Sequence, residues 1–170
     1  MQKLIILRGT PSSGKSTIAK KLRDFEQKIA WLKVDNFKDF FDEDASSALQ
    51  YVNELAIATL KYLFDQGFSV IMEGVFQDQK YITLATEVAK KKDIQYKVYE
   101  LECSLKTLLK RDRNRAGVKE GYRKPLGNEV IIHLFNILKE NSWEGAEKLN
   151  TEQLSLEECV EVVKKELGVD

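Results

Sequence analysis

The sequence predicts an α/β fold in which helices cover both faces of a mostly parallel β-sheet. Short apolar runs alternate along the 170 residues with longer segments whose apolar residues recur at a helical period. Strands that alternate with helices form βαβ units, and right-handed crossovers bring such strands into one parallel sheet. With 32% charged and 43% apolar residues, the composition is that of an ordinary globular protein. The length fits one domain over residues 1–170.

The first half of the chain begins with a continuous apolar run that is bounded by turn residues, as expected for a buried strand. Two segments with helical periodicity follow, and the longer one ends near Gly67, a residue suited to a helix C-terminus. The predicted strands are Leu4–Leu7, Ile29–Val34 and Phe68–Met72. The predicted helices are Lys15–Phe25 and Ser47–Phe64.

The second half continues the alternation and carries clear helix boundaries. Ser104 is predicted to cap a helix that runs to about Ala116, and Ser155-x-x-Glu158 is a capping box before the final helix. A basic, glycine-punctuated loop is predicted from Gly117 to Gly127. The other predicted elements are helices Gln79–Lys92 and Asn128–Glu140, strand Tyr96–Leu101 and a weak strand at Glu147–Asn150.

The charge and the hydropathy of the sequence argue against nucleic-acid and membrane partners. The 27 basic and 27 acidic residues cancel, which disfavours a large nucleic-acid footprint. The amino-terminal apolar run is too short for a signal peptide, and no later run approaches a membrane span. A cytoplasmic location without a membrane partner is therefore expected.

The loop after the first strand, RGTPSSGKST, has the spacing of a Walker A motif between a strand and a helix. Backbone N–H groups in such a loop point inward at a polyphosphate, and glycines permit its close approach. Lys15 is expected to reach the β- and γ-phosphates, and the Ser16 hydroxyl to bind Mg²⁺. The predicted nucleotide-binding residues of this loop are Gly9, Thr10, Pro11, Ser12, Ser13, Gly14, Lys15, Ser16 and Thr17.

Acidic residues follow the second and third strands, at the sheet edge where open α/β folds bind ligands. Asp35 is placed to take a proton from an acceptor hydroxyl, and the alternative is an N-cap of the segment Asn36–Phe41. Glu73 stands where an acidic residue would hold Mg²⁺, usually through water. A cap or a salt bridge to Lys15 is the alternative for Glu73.

Two arginines, Arg111 and Arg115, follow the fourth strand and are four residues apart, so that we expect them to share one helix face. There they would bind donor phosphates and neutralise charge on the transferring phosphoryl group. An exposed helix on which Asp112 only solvates the surface is the alternative. Residues 111–127 are interpreted as a lid, with a mobile surface loop as the alternative. The basic residues in the second part of this predicted lid are Lys119, Arg123 and Lys124.

The motifs GTPSSGKST, VD after strand two, EG after strand three and the arginine-bearing lid resemble small P-loop kinases of the adenylate-kinase-like group. The likeness is greatest to the branch of chloramphenicol phosphotransferase, zeta-toxin-like kinases and the kinase domain of polynucleotide kinase, over about residues 2 to 140. It implies a three-layer P-loop NTPase fold with a five-stranded parallel sheet of order 2-3-1-4-5. It also implies ATP and Mg²⁺, a hydroxyl acceptor, Asp35 as the base, and Arg111 and Arg115 as ligands of donor phosphates. Glu73 departs from the usual aspartate.

The predicted function is transfer of the γ-phosphate of Mg·ATP to a hydroxyl of a small organic molecule. Residues 36–66, which are rich in aromatic side chains, are expected to bind this acceptor, while His133 is interpreted as a core or boundary residue. One alternative is a kinase of nucleic-acid 5′-hydroxyls or of nucleotides. Another is a non-catalytic ATP-binding module or a nucleotide-dependent switch, although the GTPase patterns Asp-x-x-Gly and Asn-Lys-x-Asp do not occur.

Overall fold

The protein is described by a computed structural model that covers residues 1–25, 28–41, 48–115 and 124–168. Within these ranges the chain forms a five-stranded sheet in the order β2-β3-β1-β4-β5, and all neighbouring strands pair in parallel. The predicted fold class and strand order are confirmed, including the weakly marked fifth strand. The strands are β1 (Lys3–Gly9), β2 (Ile29–Lys33), β3 (Ser69–Gly74), β4 (Gln95–Glu102) and β5 (Glu147–Asn150).

The helices flank this sheet, and two of them begin at the capping residues that the sequence predicts. Ser104 accepts a hydrogen bond from the Thr107 amide at 3.3 Å, and Ser155 with Glu158 forms the predicted capping box. A 3₁₀ segment, Val34–Phe40, follows β2 directly. The helices are α1 (Lys15–Arg23), α2 (Leu49–Asp65), α3 (Lys80–Lys91), α4 (Leu105–Arg113), α5 (Asn128–Glu140) and α6 (Leu156–Leu167).

The helix α4 ends earlier than predicted. It stops at Arg113, where the Arg115 amide bonds to the Asp112 carbonyl at 3.2 Å in a tightened last turn. The expectation that Arg111 and Arg115 share one helix face is therefore wrong, because Arg115 lies beyond the helix. Part of the predicted lid, residues 116–123 with Lys119 and Arg123, lies outside the described residues.

Two apolar clusters hold the helices on opposite faces of the sheet. Side chains of successive β1 residues point to opposite faces, so Leu4 and Ile6 join one cluster while Ile5 and Leu7 join the other. Helices α2 and α3 cover the first face, and α1 and α6 cover the second. Full burial on both faces explains why the first strand is a continuous apolar run instead of an alternating one. Among the described residues, no helix combines the length and apolarity that crossing a bilayer requires.

Candidate active site

A cleft of about 1390 Å³ opens at the carboxyl ends of the strands. Its floor is the loop between β1 and α1, and its walls come from the 3₁₀ segment, the β3–α3 loop, the start of α5 and the β5–α6 loop. Protein pockets for one small ligand usually measure about 300–1,000 Å³. The cleft therefore has room for two ligands side by side.

The loop between β1 and α1 owes its shape to two glycines. Gly14 has φ 102°, a left-handed conformation that favours glycine, and α1 begins immediately after it. A Cβ on Gly9 would lie 2.8 Å from the Ser13 hydroxyl oxygen and 3.0 Å from the Leu101 carbonyl oxygen, so only glycine fits there. Ser12 adopts φ 70° without being glycine, and such backbone conformations concentrate at ligand sites. The loop thus presents backbone N–H groups and a helix N-terminus to the cleft.

Lys15 is buried in the floor of the cleft. Its ammonium donates hydrogen bonds to the carbonyl oxygens of Gly9 at 2.8 Å and Thr10 at 3.0 Å. Burial lowers the pKa of Lys15 to about 8, although the negative charges of Glu73 and Asp35 act in the opposite direction. The predicted alternative of a Lys15–Glu73 ion pair is not what the structure contains, because backbone carbonyls hold the ammonium.

Ser16 and Glu73 meet on the same floor. The Ser16 hydroxyl donates to Glu73 Oε1 at 2.7 Å, which joins the start of α1 to the end of β3. The second carboxylate oxygen, Oε2, is buried and has no hydrogen-bond partner among the described residues. Burial raises the pKa of Glu73, while the Lys15 charge and the Ser16 hydroxyl act to lower it. A buried carboxylate oxygen without a partner is costly, and a cation or a water held by a cation would satisfy it.

Asp35 lines the neighbouring wall of the cleft, in the first turn of the 3₁₀ segment. The N-cap of this segment is Lys33, so the alternative interpretation of Asp35 as its cap is wrong. The carboxylate pairs with the Lys38 ammonium at 2.6 Å and is about one-third exposed. The Asp35 carboxylate therefore pairs with a lysine and is also accessible from the cleft.

Arg111 connects α4 to the loop after β5. Its guanidinium donates to the hydroxyl oxygen of Thr151 at 3.0 Å and to the Thr151 carbonyl oxygen at 2.6 Å. The Thr151 hydroxyl in turn donates to the Ser13 carbonyl oxygen at 2.9 Å. Arg111 and Thr151 both line the cleft. The sequence does not predict these contacts of Thr151, because a threonine after a weak strand carries no local signal.

Arg115 also lines the cleft, and Asp112 holds it there. Arg115 Nε lies 3.3 Å from Asp112 Oδ1. Asp112 is 2% exposed, so the alternative interpretation, in which it only solvates a charged surface, is wrong. His133, interpreted as a core or boundary residue, is exposed on α5 and lines the cleft. Of the predicted nucleotide-binding residues in the loop between β1 and α1, Pro11–Thr17 line the cleft. Gly9 and Thr10 instead accept hydrogen bonds from Lys15 through their carbonyl oxygens.

A protein-family model described as Zeta toxin matches residues 2–166 of this chain. The chain belongs to the zeta toxin family. The predicted resemblance to small P-loop kinases of the zeta-toxin-like branch is therefore confirmed. One curated relative of this zeta toxin family member is the L-seryl-tRNA(Sec) kinase of Methanococcus maripaludis, with 30% identity over 140 residues. The match covers 78% of this chain and 51% of the relative, so the chain spans about half of that relative's length.

Solved structures with the same fold cover the zeta toxin family chain almost completely. The tunicamycin resistance protein of Deinococcus radiodurans has a TM-score of 0.70 at 14% identity, covering 100% of this chain and 98% of its own. A gluconokinase from Sinorhizobium meliloti 1021 has a TM-score of 0.67 at 14% identity, covering 98% and 91%. These identities show a common fold alone. Together with the family and the kinase relative, they support a P-loop kinase, a phosphotransferase in general terms.

Proposed function

We propose that this zeta toxin family member transfers the γ-phosphate of Mg·ATP to a hydroxyl of a small organic molecule. One observation carries the proposal: a single cleft holds the buried Lys15 ammonium, the Ser16–Glu73 pair and the accessible Asp35 carboxylate. A phosphoryl-transfer site needs a phosphate cradle, a metal site and a group that receives the proton of the acceptor. The volume of the cleft leaves space for an acceptor beside the nucleotide.

The residues on the floor fit a magnesium ion. Glu73 Oε2 lacks a partner among the described residues, and the Ser16 hydroxyl lies next to the same carboxylate. Mg²⁺ prefers oxygen ligands and keeps several waters, so one hydroxyl and one carboxylate are enough protein ligands when phosphates supply the others. Ser16 and Glu73 would hold the ion, Glu73 directly or through water. When bound, Mg²⁺ would neutralise part of the charge on the β- and γ-phosphate oxygens.

The protein residues have separate parts in the proposed reaction. Lys15 would leave the carbonyl oxygens that hold it in the structure and bind phosphate oxygens, while Arg111 and Arg115, which also line the cleft, would add positive charge. The acceptor oxygen forms a bond to the γ-phosphorus as the bond from that phosphorus to the bridging β,γ-oxygen breaks, which releases ADP. The acceptor proton passes to the carboxylate of Asp35.

A second acceptor class is favoured by one comparison. The relative with 30% identity is named as a kinase of seryl-tRNA(Sec), so an acceptor hydroxyl attached to RNA is the alternative for this chain. The formal charge of zero argues against a long RNA footprint, since phosphate contacts need basic side chains. The small-molecule acceptor is therefore the first candidate.

A panel of acceptors with radiolabelled ATP tests the function. Nucleosides, aminoglycosides, phenicols, sugar nucleotides, a 5′-hydroxyl RNA and serylated tRNA are each incubated with Mg·ATP, and label transfer is measured above the rate without acceptor. We expect one small-molecule class to be labelled, with no transfer by Lys15→Met or after chelation of Mg²⁺. Label only on RNA, with a steep salt dependence, would select the alternative. ATP binding without transfer to any acceptor would favour a non-catalytic module.

The buried lysine makes ATP binding dependent on pH. Lys15 must carry its proton to attract phosphate, and its pKa of about 8 means that the free protein loses this proton as the pH rises above that value. The dissociation constant for ATP should therefore rise up to about tenfold per pH unit above about pH 8. Calorimetry between about pH 7.5 and pH 9.5 measures this change. The control Lys15→Arg stays charged throughout, so its weaker binding should not vary, and a flat wild-type profile would contradict the prediction.

A further inference from the structure

A buried carboxylate outside the proposed chemistry connects three parts of the site. Asp112, the penultimate residue of α4, is 2% exposed. Its Oδ2 accepts hydrogen bonds at 3.0 Å from the backbone amides of Leu126 and Gly127, immediately before α5. Its Oδ1 faces the nucleotide-binding loop, where it lies 3.3 Å from the Ser12 hydroxyl oxygen and 3.3 Å from Arg115 Nε.

The two oxygens of Asp112 therefore have separate tasks. Oδ2 anchors the chain immediately before α5 through the Leu126 and Gly127 amides, and the N-cap residue Gly127 has no side chain that could do so. Oδ1 holds Arg115 through Nε, and among the described residues no other acidic group pairs with Arg115. The contact is made through Nε, and in the part of the chain that the structure describes no residue pairs with the terminal nitrogens of this guanidinium. A buried carboxylate such as that of Asp112 costs free energy unless its partners stay in position.

We propose that Asp112 is a positioning residue that aims Arg115 at the terminal phosphate of the bound nucleotide. The inference rests on the proposed function, because that function supplies the γ-phosphate. The same carboxylate also bonds to Ser12, which has a left-handed φ of 70°, and to the Gly127 amide before α5. It therefore fixes the positions of these two segments relative to Arg115. A guanidinium fixed before the nucleotide binds loses less conformational freedom when it meets a phosphate.

The substitution Asp112→Asn separates the two tasks. Asparagine keeps one oxygen, which continues to accept from the Leu126 and Gly127 amides. The other oxygen becomes an uncharged NH₂ group that cannot form an ion pair with Arg115. The variant should keep the hydrogen bonds to the Leu126 and Gly127 amides and lose the orientation of Arg115.

The test compares the affinities of the protein for ATP and for ADP, because only ATP carries the γ-phosphate. Binding can be measured without knowing the acceptor. Calorimetry with Mg·ATP and Mg·ADP is performed on the wild type, Asp112→Asn, Arg115→Ala and the double variant. We expect Arg115→Ala to reduce the preference for ATP over ADP by roughly tenfold, as for the loss of one hydrogen bond to a charged group. Asp112→Asn should reduce it similarly, and the double variant should lose little more. Asp24→Asn makes the same chemical change in the exposed Arg23–Asp24 pair and should leave the preference unchanged.

The possible results separate the inference from the function on which it rests. A wild type that binds no ATP contradicts the proposed function. An Arg115→Ala variant with a normal preference for ATP overturns the inference alone, because the function can proceed with Lys15 and Arg111. Loss of preference in Arg115→Ala together with a normal Asp112→Asn variant, or additive losses in the double variant, overturns the inference alone. Amide hydrogen exchange on the wild type gives a measurement that needs no variant to fold. The Leu126 and Gly127 amides should be protected although they precede the helix, and unprotected amides would also overturn the inference.

Discussion

The substitution Asp35→Asn is expected to lower kcat by roughly 10²–10⁴-fold while ATP binds nearly as tightly as to the wild type. Asparagine has the shape of aspartate but cannot receive a proton. The residue lies on the wall of the cleft beside the nucleotide-binding loop, so the change should affect the transfer step and leave the phosphate cradle intact. Turnover and binding are therefore expected to separate, and this separation distinguishes a proton acceptor from a residue that only binds the nucleotide.

The measurement needs an acceptor from the panel and a matched control. Single-turnover rates give the transfer step, and calorimetry gives the dissociation constant for Mg·ATP. Asp65→Asn is the control, because Asp65 likewise pairs with a lysine, Lys92, at the end of α2 and is not among the residues that line the cleft. If Asp35→Asn retained wild-type turnover, Asp35 would not be the base, and its ion pair with Lys38 would be its main role.

The parts of the site that could be predicted from the sequence are those that short stretches of chain determine. Gly9, Gly14 and Lys15 lie within one loop, and the conformation of that loop follows from the spacing of its glycines. The position of Glu73 at the end of a strand follows from the period of apolar residues and from the rule that parallel strands end at one edge of a sheet. Ser155 and Glu158 are likewise a local pair three residues apart.

Contacts between distant residues were not predictable in the same way. Asp112 meets Ser12 across 100 residues of sequence, and Arg8 meets Glu100 across 92. A charged residue in a charged helix is usually solvated, so the sequence around Asp112 favours the surface. Only the three-dimensional arrangement brings a second helix and a loop over it. Helix periodicity predicts a role for Arg115 but assigns Asp112 to solvent, whereas the structure buries Asp112 beside Arg115.

The same limit applies to a buried ion cluster behind the cleft, formed by Arg8 at the end of β1 and Glu100 on β4. Arg8 is fully buried and pairs with Glu100, which is 6% exposed. Arg8 also donates to the carbonyl oxygens of Phe76 at 3.3 Å and Asn141 at 2.6 Å. Glu100 accepts in addition from Lys148 and, at 2.7 and 2.8 Å, from the Ser142 hydroxyl and the Trp143 amide. The cluster thus fixes the β3–α3 loop, which lines the cleft, to the centre of the sheet.

The substitution Glu100→Gln should therefore lower the free energy of unfolding by about 3–5 kcal/mol, since it leaves the buried Arg8 charge without its carboxylate. This is a large share of the roughly 5–15 kcal/mol that stabilises a typical domain. Chemical denaturation at pH 7 measures the loss. The control is Glu102→Gln on the same strand, because Glu102 is half exposed and pairs with Lys148 at 3.1 Å, so the expected loss is at most about 1 kcal/mol. Equal losses in the two variants would contradict a special role for the buried cluster.

The pH dependence of this loss provides a second check of the same cluster. Burial by itself would raise the pKa of Glu100, but the Lys148 ammonium, the Ser142 hydroxyl, the Trp143 amide and the Arg8 guanidinium outweigh it and hold the pKa below its usual 4.5. A carboxyl group with a lowered pKa in the folded state contributes stability that is present above its unfolded pKa and is lost as the pH falls through the folded value. The difference in unfolding free energy between the wild type and Glu100→Gln should therefore be constant from about pH 7 to pH 5 and should shrink below about pH 4. A difference that stayed the same in acid would mean that the loss comes from altered packing and not from the charge of Glu100.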